Sequence, residues 1–131
     1  LQRVEPYWQR RSQICERYNT AFRSLPLGLP ADPEPDTRHA HHLYTILVDE
    51  ARAGAGRDAF LDRMTAHNIG VGVHYQSIAE HPYYQERYGW RPEDYPNAMA
   101  IGRQTVSLPL SAKLSDEDVE DVIAAVERSL G

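Results

Sequence analysis

The sequence predicts an α+β fold arranged as two layers, in which a small, mainly antiparallel sheet of about three strands is covered by helices. Apolar residues recur at helical spacing at both ends of the chain, and a long helix is expected at the N-terminal end. Three short segments rich in β-branched and aromatic residues lie between these ends. The expected order is α, β, α, β, α, α, β, α. The length of 131 residues is typical of one domain, so residues 1–131 are predicted to form a single domain.

The first helix is predicted over residues 6–25. Pro6 suits the first turn of a helix, where its missing N–H costs nothing. Apolar side chains then recur every three or four residues, with arginines mostly between them. Prolines and a glycine at residues 26–30 end the helix, and the acidic, proline-rich residues 31–36 are expected to form a solvated loop.

Three strands are predicted, over residues 42–49, 69–75 and 105–109. The first is the clearest, and its apolar stretch predicts cover on both faces. The second contains Gly70 and Gly72, which permit either a bulge or the close approach of another backbone. The third is short and is closed by a proline.

Further helices are predicted between and after the strands. After a flexible turn over residues 50–56, an amphipathic helix is expected over residues 57–67, ended by Asn68 or Gly70 in the left-handed conformation. Residues 81–88 are expected to form a short aromatic turn or helix, and residues 95–104 a further helix.

A helix start signal precedes the C-terminal apolar stripe. Ser115 is predicted to cap the last helix, and Asp118 lies where a capping box places an acidic partner. The acids that follow Ser115 complement the positive end of the helix dipole.

The charge distribution excludes some classes of function. The net charge of −5 argues against nucleic-acid binding, which needs a basic face. No apolar run approaches the ~20 residues of a membrane span, so no membrane partner is expected. Cys15 is the only cysteine, which excludes an internal disulfide and suits a reducing, cytoplasmic location.

A group of histidines precedes the first predicted strand. His39 and His41 are expected to share one face while His42 points to the other. Two imidazoles are too few for a zinc site unless a distant ligand completes it. We therefore predict no metal site, and a polar strand entry instead.

A second group of titratable side chains follows the second predicted strand. His74 and Tyr75 come at its end, and His81 precedes Tyr83 and Tyr84. Imidazole and phenol groups can together bind a phosphate or sugar hydroxyl, or transfer protons. The alternative is structural, with Tyr83 and Tyr84 packed on the core and His74 a hydrogen-bonded strand residue.

Six motifs occur in order along nearly the whole chain. They are HLY at 42–44, NIGVGVHY at 68–75, PYY at 82–84, DYPNA at 94–98, VSLPL at 106–110 and LSDEDV at 114–119. Together with the opening helix, they resemble the C-terminal, small domain of DegT/DnrJ/StrS-type aminotransferases. These are fold-type-I, pyridoxal-phosphate-dependent nucleotide-sugar aminotransferases.

The resemblance implies transfer of an amino group, usually from glutamate, to a keto-sugar on a nucleotide diphosphate. It implies pyridoxal phosphate (PLP) as the cofactor of the full-length parent, held on a lysine of a large N-terminal domain that this sequence does not include. This chain would close the active site, with that large domain as its partner. It would contribute no catalytic, cofactor-binding or metal-binding residue, and alone it would be inactive and bind no cofactor.

By the same resemblance, His74 and Tyr75 line the cleft near the nucleotide sugar, and His81 matches the histidine that precedes Pro-Tyr-Tyr in relatives. These three residues are the substrate-binding candidates. The chain departs from the family at Ala79, where relatives often have a histidine, and near Ser77, where they have a proline. Both departures concern the identity of the substrate and the activity itself.

Lys113 is the only lysine, and its surroundings do not suit a cofactor. A Schiff-base lysine needs a desolvated pocket or a cationic neighbour that lowers its pKa. Residues 111–114 are predicted to form a loop beside a run of acids, which keeps an ammonium group charged and exposed. We therefore expect Lys113 to hold no cofactor.

Two other interpretations stay open. The chain is either a stand-alone binding or interaction module derived from such a domain, or a fragment without a function of its own. In each case a homodimer or higher oligomer is expected, because the surface that faces a large domain in relatives would be exposed and apolar.

Overall fold

The computed structural model describes residues 2–130, and its mixed architecture confirms the predicted α+β class. Within these residues, six α-helices and three strands are joined by loops and by two 3₁₀ turns, Ile78–Glu80 and Pro92–Asp94. The helices are α1 (Val4–Phe22), α2 (Glu50–Ala53), α3 (Arg57–Ala66), α4 (Pro82–Tyr88), α5 (Pro96–Gln104) and α6 (Asp116–Leu130). The strands are β1 (Leu27–Gly28), β2 (Tyr44–Val48) and β3 (Thr105–Leu108).

The three strands form an open antiparallel sheet in the order β1-β2-β3. Strand β2 is central: Tyr44 pairs with Leu108 of β3, and Val48 pairs with Leu27 of β1. This register places alternate β2 residues on one buried face, because side chains alternate across a strand.

The hydrophobic core lies on that face of the sheet. Tyr44, Ile46 and Val48 are almost fully buried, whereas the residues between them are half-buried. Buried side chains from three helices and from β3 complete the same core: Ile14, Tyr18 and Phe22 of α1, Phe60 and Met64 of α3, Val119, Val122 and Val126 of α6, and Val106 and Leu108 of β3. All four residues of β3 are buried, so β3 is covered on both faces. Strand β2, for which this cover was predicted, is fully buried on one face only.

The predicted second strand is wrong. Residues 69–75 form no strand, and their contact with the sheet is a single antiparallel bridge between Gly72 and Ser107. A ladder needs several consecutive residues to pair with β3, and this segment pairs at Gly72 alone. The sheet is completed by β1, which consists of only two residues. For this stretch the sequence predicted only the end of the first helix.

Helix boundaries differ modestly from the predictions. Helix α1 begins before Pro6 and ends at Phe22. The predicted turn after β2 contains the short helix α2, capped by the Asp49 carboxylate on the Ala51 N–H and ended by Gly54 in the left-handed conformation. Asn68 is the left-handed residue after α3, which confirms one of the two predicted stops.

The predicted capping box of α6 is confirmed. The Asp118 N–H donates to Ser115 Oγ at 3.0 Å, and the Ser115 N–H donates to Asp118 Oδ2 at 2.7 Å. These hydrogen bonds from the backbone and side chain of Ser115 lower the pKa of Asp118. The cap fixes where α6 begins and therefore how its apolar stripe meets the core.

Ion pairs attach α1 to the start of α6. The Arg10 guanidinium donates to Asp116 Oδ1 at 2.8 Å and to the Leu114 carbonyl at 2.7 Å. Arg17 pairs with the same carboxylate and with Glu120. The bond from Arg10 is the main reason that the pKa of Asp116 is lowered. Two of the three arginines of α1 therefore join this helix to α6.

Candidate functional site

The candidate site is the loop at residues 72–81, which leaves the edge of the sheet and leads into α4. His74 and Tyr75 are exposed and lie together, with ring centroids 5.0 Å apart and ring planes nearly perpendicular. Tyr75 is the most exposed large apolar residue described, at 76%. His81 is also exposed, at the start of α4, where its ring faces Tyr84 at 6.4 Å. The structure thus brings two of the three predicted residues into contact and places the third at the far end of the same loop.

The first anchor of this loop is on β3. Gly72 and Ser107 exchange backbone hydrogen bonds of 3.1 and 2.7 Å. The hydroxyl of Ser107, which is buried, lies 2.9 Å from His74 Nδ1. The ring packs so closely over Gly72 that a Cβ there would lie 2.9 Å from His74 Cε1. The imidazole is therefore held by two contacts while its outer edge faces solvent.

The second anchor is on α5. Gly102 is buried, and a Cβ at this position would lie 2.6 Å from the Ser77 backbone nitrogen and 3.3 Å from Ser77 Cβ. Only glycine allows the helix and the loop backbone to approach this closely. The Gly102 carbonyl also accepts a hydrogen bond from Arg57 at 3.3 Å, which joins α3 to the same point.

Side chains fix the last part of the loop. Arg103 of α5 pairs with Glu80 at 3.1 Å, and the Gln85 amide donates to the Ala79 carbonyl at 2.8 Å. Ala79 and Ser77, the two positions at which we expect the chain to depart from the family, are both buried. In this chain neither side chain lies on the exposed surface that carries His74 and Tyr75.

An aromatic group lies beside His81. It consists of Tyr83, Tyr84, Tyr88, Trp90 and Tyr95, whose neighbouring ring centroids lie 5.4 to 6.3 Å apart. Helix α4 contains no buried residue, and none of these five rings belongs to the core. The interpretation that Tyr83 and Tyr84 pack on the core is therefore wrong, since they pack on each other and on their neighbours.

The surroundings of Lys113 do not fit PLP. Lys113 is exposed in the loop between β3 and α6, at an open groove that it shares with Tyr7, Arg11 and His42. As an electron sink, PLP needs a protonated pyridine nitrogen, which a carboxylate stabilises, beside a lysine in a desolvated pocket. No carboxylate lines this groove within residues 2–130, and Lys113 is not desolvated.

The histidines before β2 form a pair. His39 and His41 lie with their Nδ1 atoms 3.4 Å apart, and the His41 N–H donates to His39 Nδ1 at 3.1 Å. Burial, followed by the nearby His39, lowers the pKa of His41. In the described part of the chain, no group of three or more His, Cys, Asp or Glu side chains is arranged to hold a metal ion.

The residues that hold the site were largely not predicted. Ser107 lies in the VSLPL motif, for which no anchoring role was predicted, and Gly102 and Arg103 lie in a segment predicted only as a helix. The one signal in the sequence was the glycine pair at residues 70 and 72, and the close backbone approach that it allowed is observed at Gly72. Among the described helices, none is long and apolar enough to cross a membrane.

Both the sequence and the fold of this chain match those of sugar aminotransferases. The family model described as the DegT/DnrJ/EryC1/StrS aminotransferase family matches residues 1–127, and this chain belongs to that family. The expected resemblance is confirmed.

Individual relatives agree with this assignment. The chain is 42% identical over 127 residues to the spore coat polysaccharide biosynthesis protein SpsC of Bacillus subtilis, covering 96% of this chain and 33% of SpsC. Spr1654 of Streptococcus pneumoniae, assigned as a sugar aminotransferase, superposes with a TM-score of 0.87 at 28% identity, over 99% of this chain and 33% of its own PLP form. DesV of S. venezuelae superposes with a TM-score of 0.83 at 28% identity, over 98% of this chain and 33% of DesV. The chain therefore spans about a third of the relatives that it matches.

Proposed function

We propose that this chain is the C-terminal domain of a PLP-dependent aminotransferase that acts on a nucleotide-linked keto-sugar, with glutamate as the amino donor. Residues 1–131 form one domain in this proposal, and their task is to close the active site rather than to perform the chemistry. The single observation that supports it best is the anchored loop at residues 72–81, which holds exposed His74 and Tyr75 on an aminotransferase-family fold.

The cofactor belongs to the rest of the parent protein. Spr1654 is known in PLP and PMP forms, and this chain matches only about a third of it. The one lysine of the chain lies in an open groove without a carboxylate among its described lining residues. PLP supplies the electron sink for amino transfer, and this chain supplies the walls and polar contacts at the sugar side.

His74, Tyr75 and His81 are proposed to bind the nucleotide sugar. An imidazole and a phenol side by side offer hydrogen bonds to hydroxyl and phosphate oxygens, and the Tyr75 ring offers a flat apolar surface to a sugar ring. The anchors on β3 and α5 hold these groups in place before substrate arrives, which lowers the entropy lost on binding.

A large domain is the proposed partner of the face around the loop. Ile78 and Ile101 flank the contact between Ser77 and Gly102 and are both more than half exposed. Together with Tyr75 they place apolar surface where the missing active-site walls are expected, and such surface favours association. A homodimer or higher oligomer of the parent, and a cytoplasmic location, are part of the same proposal.

A chimera tests this function. In SpsC, the third that this chain matches is replaced by this chain, and the conversion of bound PLP to PMP on addition of glutamate is followed by absorbance. Amino transfer to nucleotide-linked keto-sugars is then measured by mass spectrometry. The matched control is a chimera with Tyr75→Ala and His74→Leu, which keeps the backbone hydrogen bonds between Gly72 and Ser107 and the close approach of Gly102 to Ser77.

The expected result is cofactor conversion in both chimeras and much weaker sugar amination in the second. A chimera that folds but binds no PLP, or that aminates sugars equally well without His74 and Tyr75, would refute the proposal. The second of these results would favour a binding module or a fragment without its own function.

A further inference from the structure

The buried hydroxyl of Ser107 has one hydrogen-bond partner. Ser107 lies on β3 at 5% exposure, and its Oγ is 2.9 Å from His74 Nδ1. No other side-chain hydrogen bond involves Ser107 Oγ within the part of the chain that the structure describes. A buried hydroxyl carries one proton that needs an acceptor, and leaving it without one costs free energy.

This requirement fixes the direction of the hydrogen bond. If His74 Nδ1 carried the hydrogen and donated it to Ser107 Oγ, the serine proton would have no acceptor. If Nδ1 accepts instead, the serine proton is satisfied, and the hydrogen of the neutral ring lies on Nε2. The hydrogen bond made by Nδ1 thus decides whether Nε2 of the neutral ring carries a hydrogen.

The outer edge of the ring is open to a ligand. His74 is exposed, and none of the side-chain hydrogen bonds of residues 2–130 involves its Nε2. The Cε1 edge packs over Gly72, where no Cβ could be accommodated without moving the ring. The imidazole is therefore held in position by Gly72 and in its hydrogen-bonding state by Ser107.

We propose that Ser107 is a positioning residue that holds neutral His74 as the Nε2–H tautomer, so that His74 donates a hydrogen bond to an oxygen of the substrate. The substrate part of this statement rests on the proposed function. The acceptor is a hydroxyl, carbonyl or phosphate oxygen of a nucleotide-linked sugar. Because Nε2 carries the hydrogen, neutral His74 cannot remove a proton from the substrate through that atom, which separates a binding role from general-base catalysis.

The tautomer is tested on the chain itself by long-range proton–nitrogen NMR of the histidine rings, at a pH at which they are neutral. The comparison is between the unchanged chain, Ser107→Ala, and Ser129→Ala as the matched control. Ser129 is equally buried, and its hydroxyl lies on α6 without contact to His74. Exposed His42 serves as the internal reference for a ring without such a bond.

The expected spectrum shows His74 mainly as Nε2–H, unchanged in Ser129→Ala. In Ser107→Ala the ratio of Nε2–H to Nδ1–H is expected to fall about fivefold, the equilibrium effect of one ordinary hydrogen bond. A His74 ring that is mainly Nδ1–H, or a ratio that Ser107→Ala leaves unchanged, would overturn the assignment.

The donor role is tested in the SpsC chimera with His74→Gln and His74→Leu. A glutamine amide can place an N–H near the position of Nε2, whereas leucine cannot donate. We expect about a tenfold lower KM for the nucleotide sugar with glutamine than with leucine, at similar kcat, consistent with one hydrogen bond to a charged oxygen. Equal KM values would contradict donation. The NMR result does not depend on activity, so a failure of the proposed function is distinguished from a failure of the tautomer assignment.

Discussion

Replacing Gly102 with alanine is expected to destabilise the protein, although alanine is the better helix former. Gly102 lies inside α5, where an exposed Gly→Ala change would stabilise by about 1 kcal/mol. Here the new Cβ would lie 2.6 Å from the Ser77 backbone nitrogen, and the loop and helix must separate before that distance reaches the 3.4 Å of ordinary contact. Overpacking of this kind typically costs about 1–3 kcal/mol.

The net expectation is a loss of about 1 kcal/mol in the free energy of unfolding, measured by urea denaturation, because the overpacking exceeds the gain in helix propensity. Gly70→Ala is the matched control. Gly70 lies in the same region, its backbone does not need a positive φ, and a Cβ added there would have no atom within 4 Å. This control is expected to be neutral or to stabilise by up to about 1 kcal/mol.

The sign of the stability change in Gly102→Ala shows whether the loop is packed tightly against α5. If Gly102→Ala is as stable as Gly70→Ala or more so, the loop at residues 72–81 is not held tightly against α5. In that case the second anchor of the candidate site would be absent. If Gly102→Ala is less stable, the displaced loop is also expected to raise the KM for the nucleotide sugar in the SpsC chimera, because Ser77 is only two residues from Tyr75.

Four further predictions concern the rest of the fold. Ser115→Ala should lower the free energy of unfolding by about 1 kcal/mol in urea denaturation, through loss of the α6 cap; a change indistinguishable from zero would contradict the capping box. The folded-state pKa of Asp118 is lowered, so its stabilising effect is present above the ordinary pKa of an aspartate and is lost as the pH falls through the folded value. Thermal melts of the unchanged chain and of Asp118→Asn should therefore converge in acid. A difference in melting temperature that stays constant with pH would refute this. Phe60→Ala should cost about 3–5 kcal/mol, measured in the same way as Ser115→Ala, because Phe60 is fully buried in the core, and a loss below about 1 kcal/mol would show that the ring is not packed there. Burial raises the pKa of Cys15 to about 11, so a thiol reagent should modify it much more slowly in the folded chain than in urea, and equal rates would contradict its burial.

Elements with a strong local signal were predicted correctly. Helix α6 has a capping box and a regular apolar stripe, and both features depend only on residues within one or two turns. Strand β2 has a run of apolar, β-branched and aromatic residues, and it is found at the centre of the sheet. In both cases the local preference and the tertiary environment favour the same structure.

The misassigned elements depend on partners that are distant in sequence. Residues 69–75 have strand-like composition, but only Gly72 meets β3, at Ser107. Strand β1 consists of Leu27 and Gly28, which are too few for any periodicity, and it is defined by their pairing with Val48 and Leu47. Strand pairing is set by the neighbouring chain, which a local pattern does not contain.

In the candidate site, too, the residues with a local signal were predicted and those that act through distant contacts were not. The exposed residues His74, Tyr75 and His81 were predicted from their chemistry and from the resemblance. Ser107 and Gly102, which hold them, were not, because their importance comes from single contacts across 33 and 25 residues of sequence. Side-chain type indicates what a site can bind, whereas the fold decides which residues keep it in place.

We propose that this chain completes an aminotransferase active site without holding the cofactor. The most direct test is intact-mass analysis of the chain after incubation with PLP and reduction with borohydride, beside the SpsC chimera treated in the same way. We expect no stoichiometric adduct at Lys113 in the chain, and one cofactor per chimera on its large domain. A saturable, stoichiometric adduct at Lys113 would contradict it.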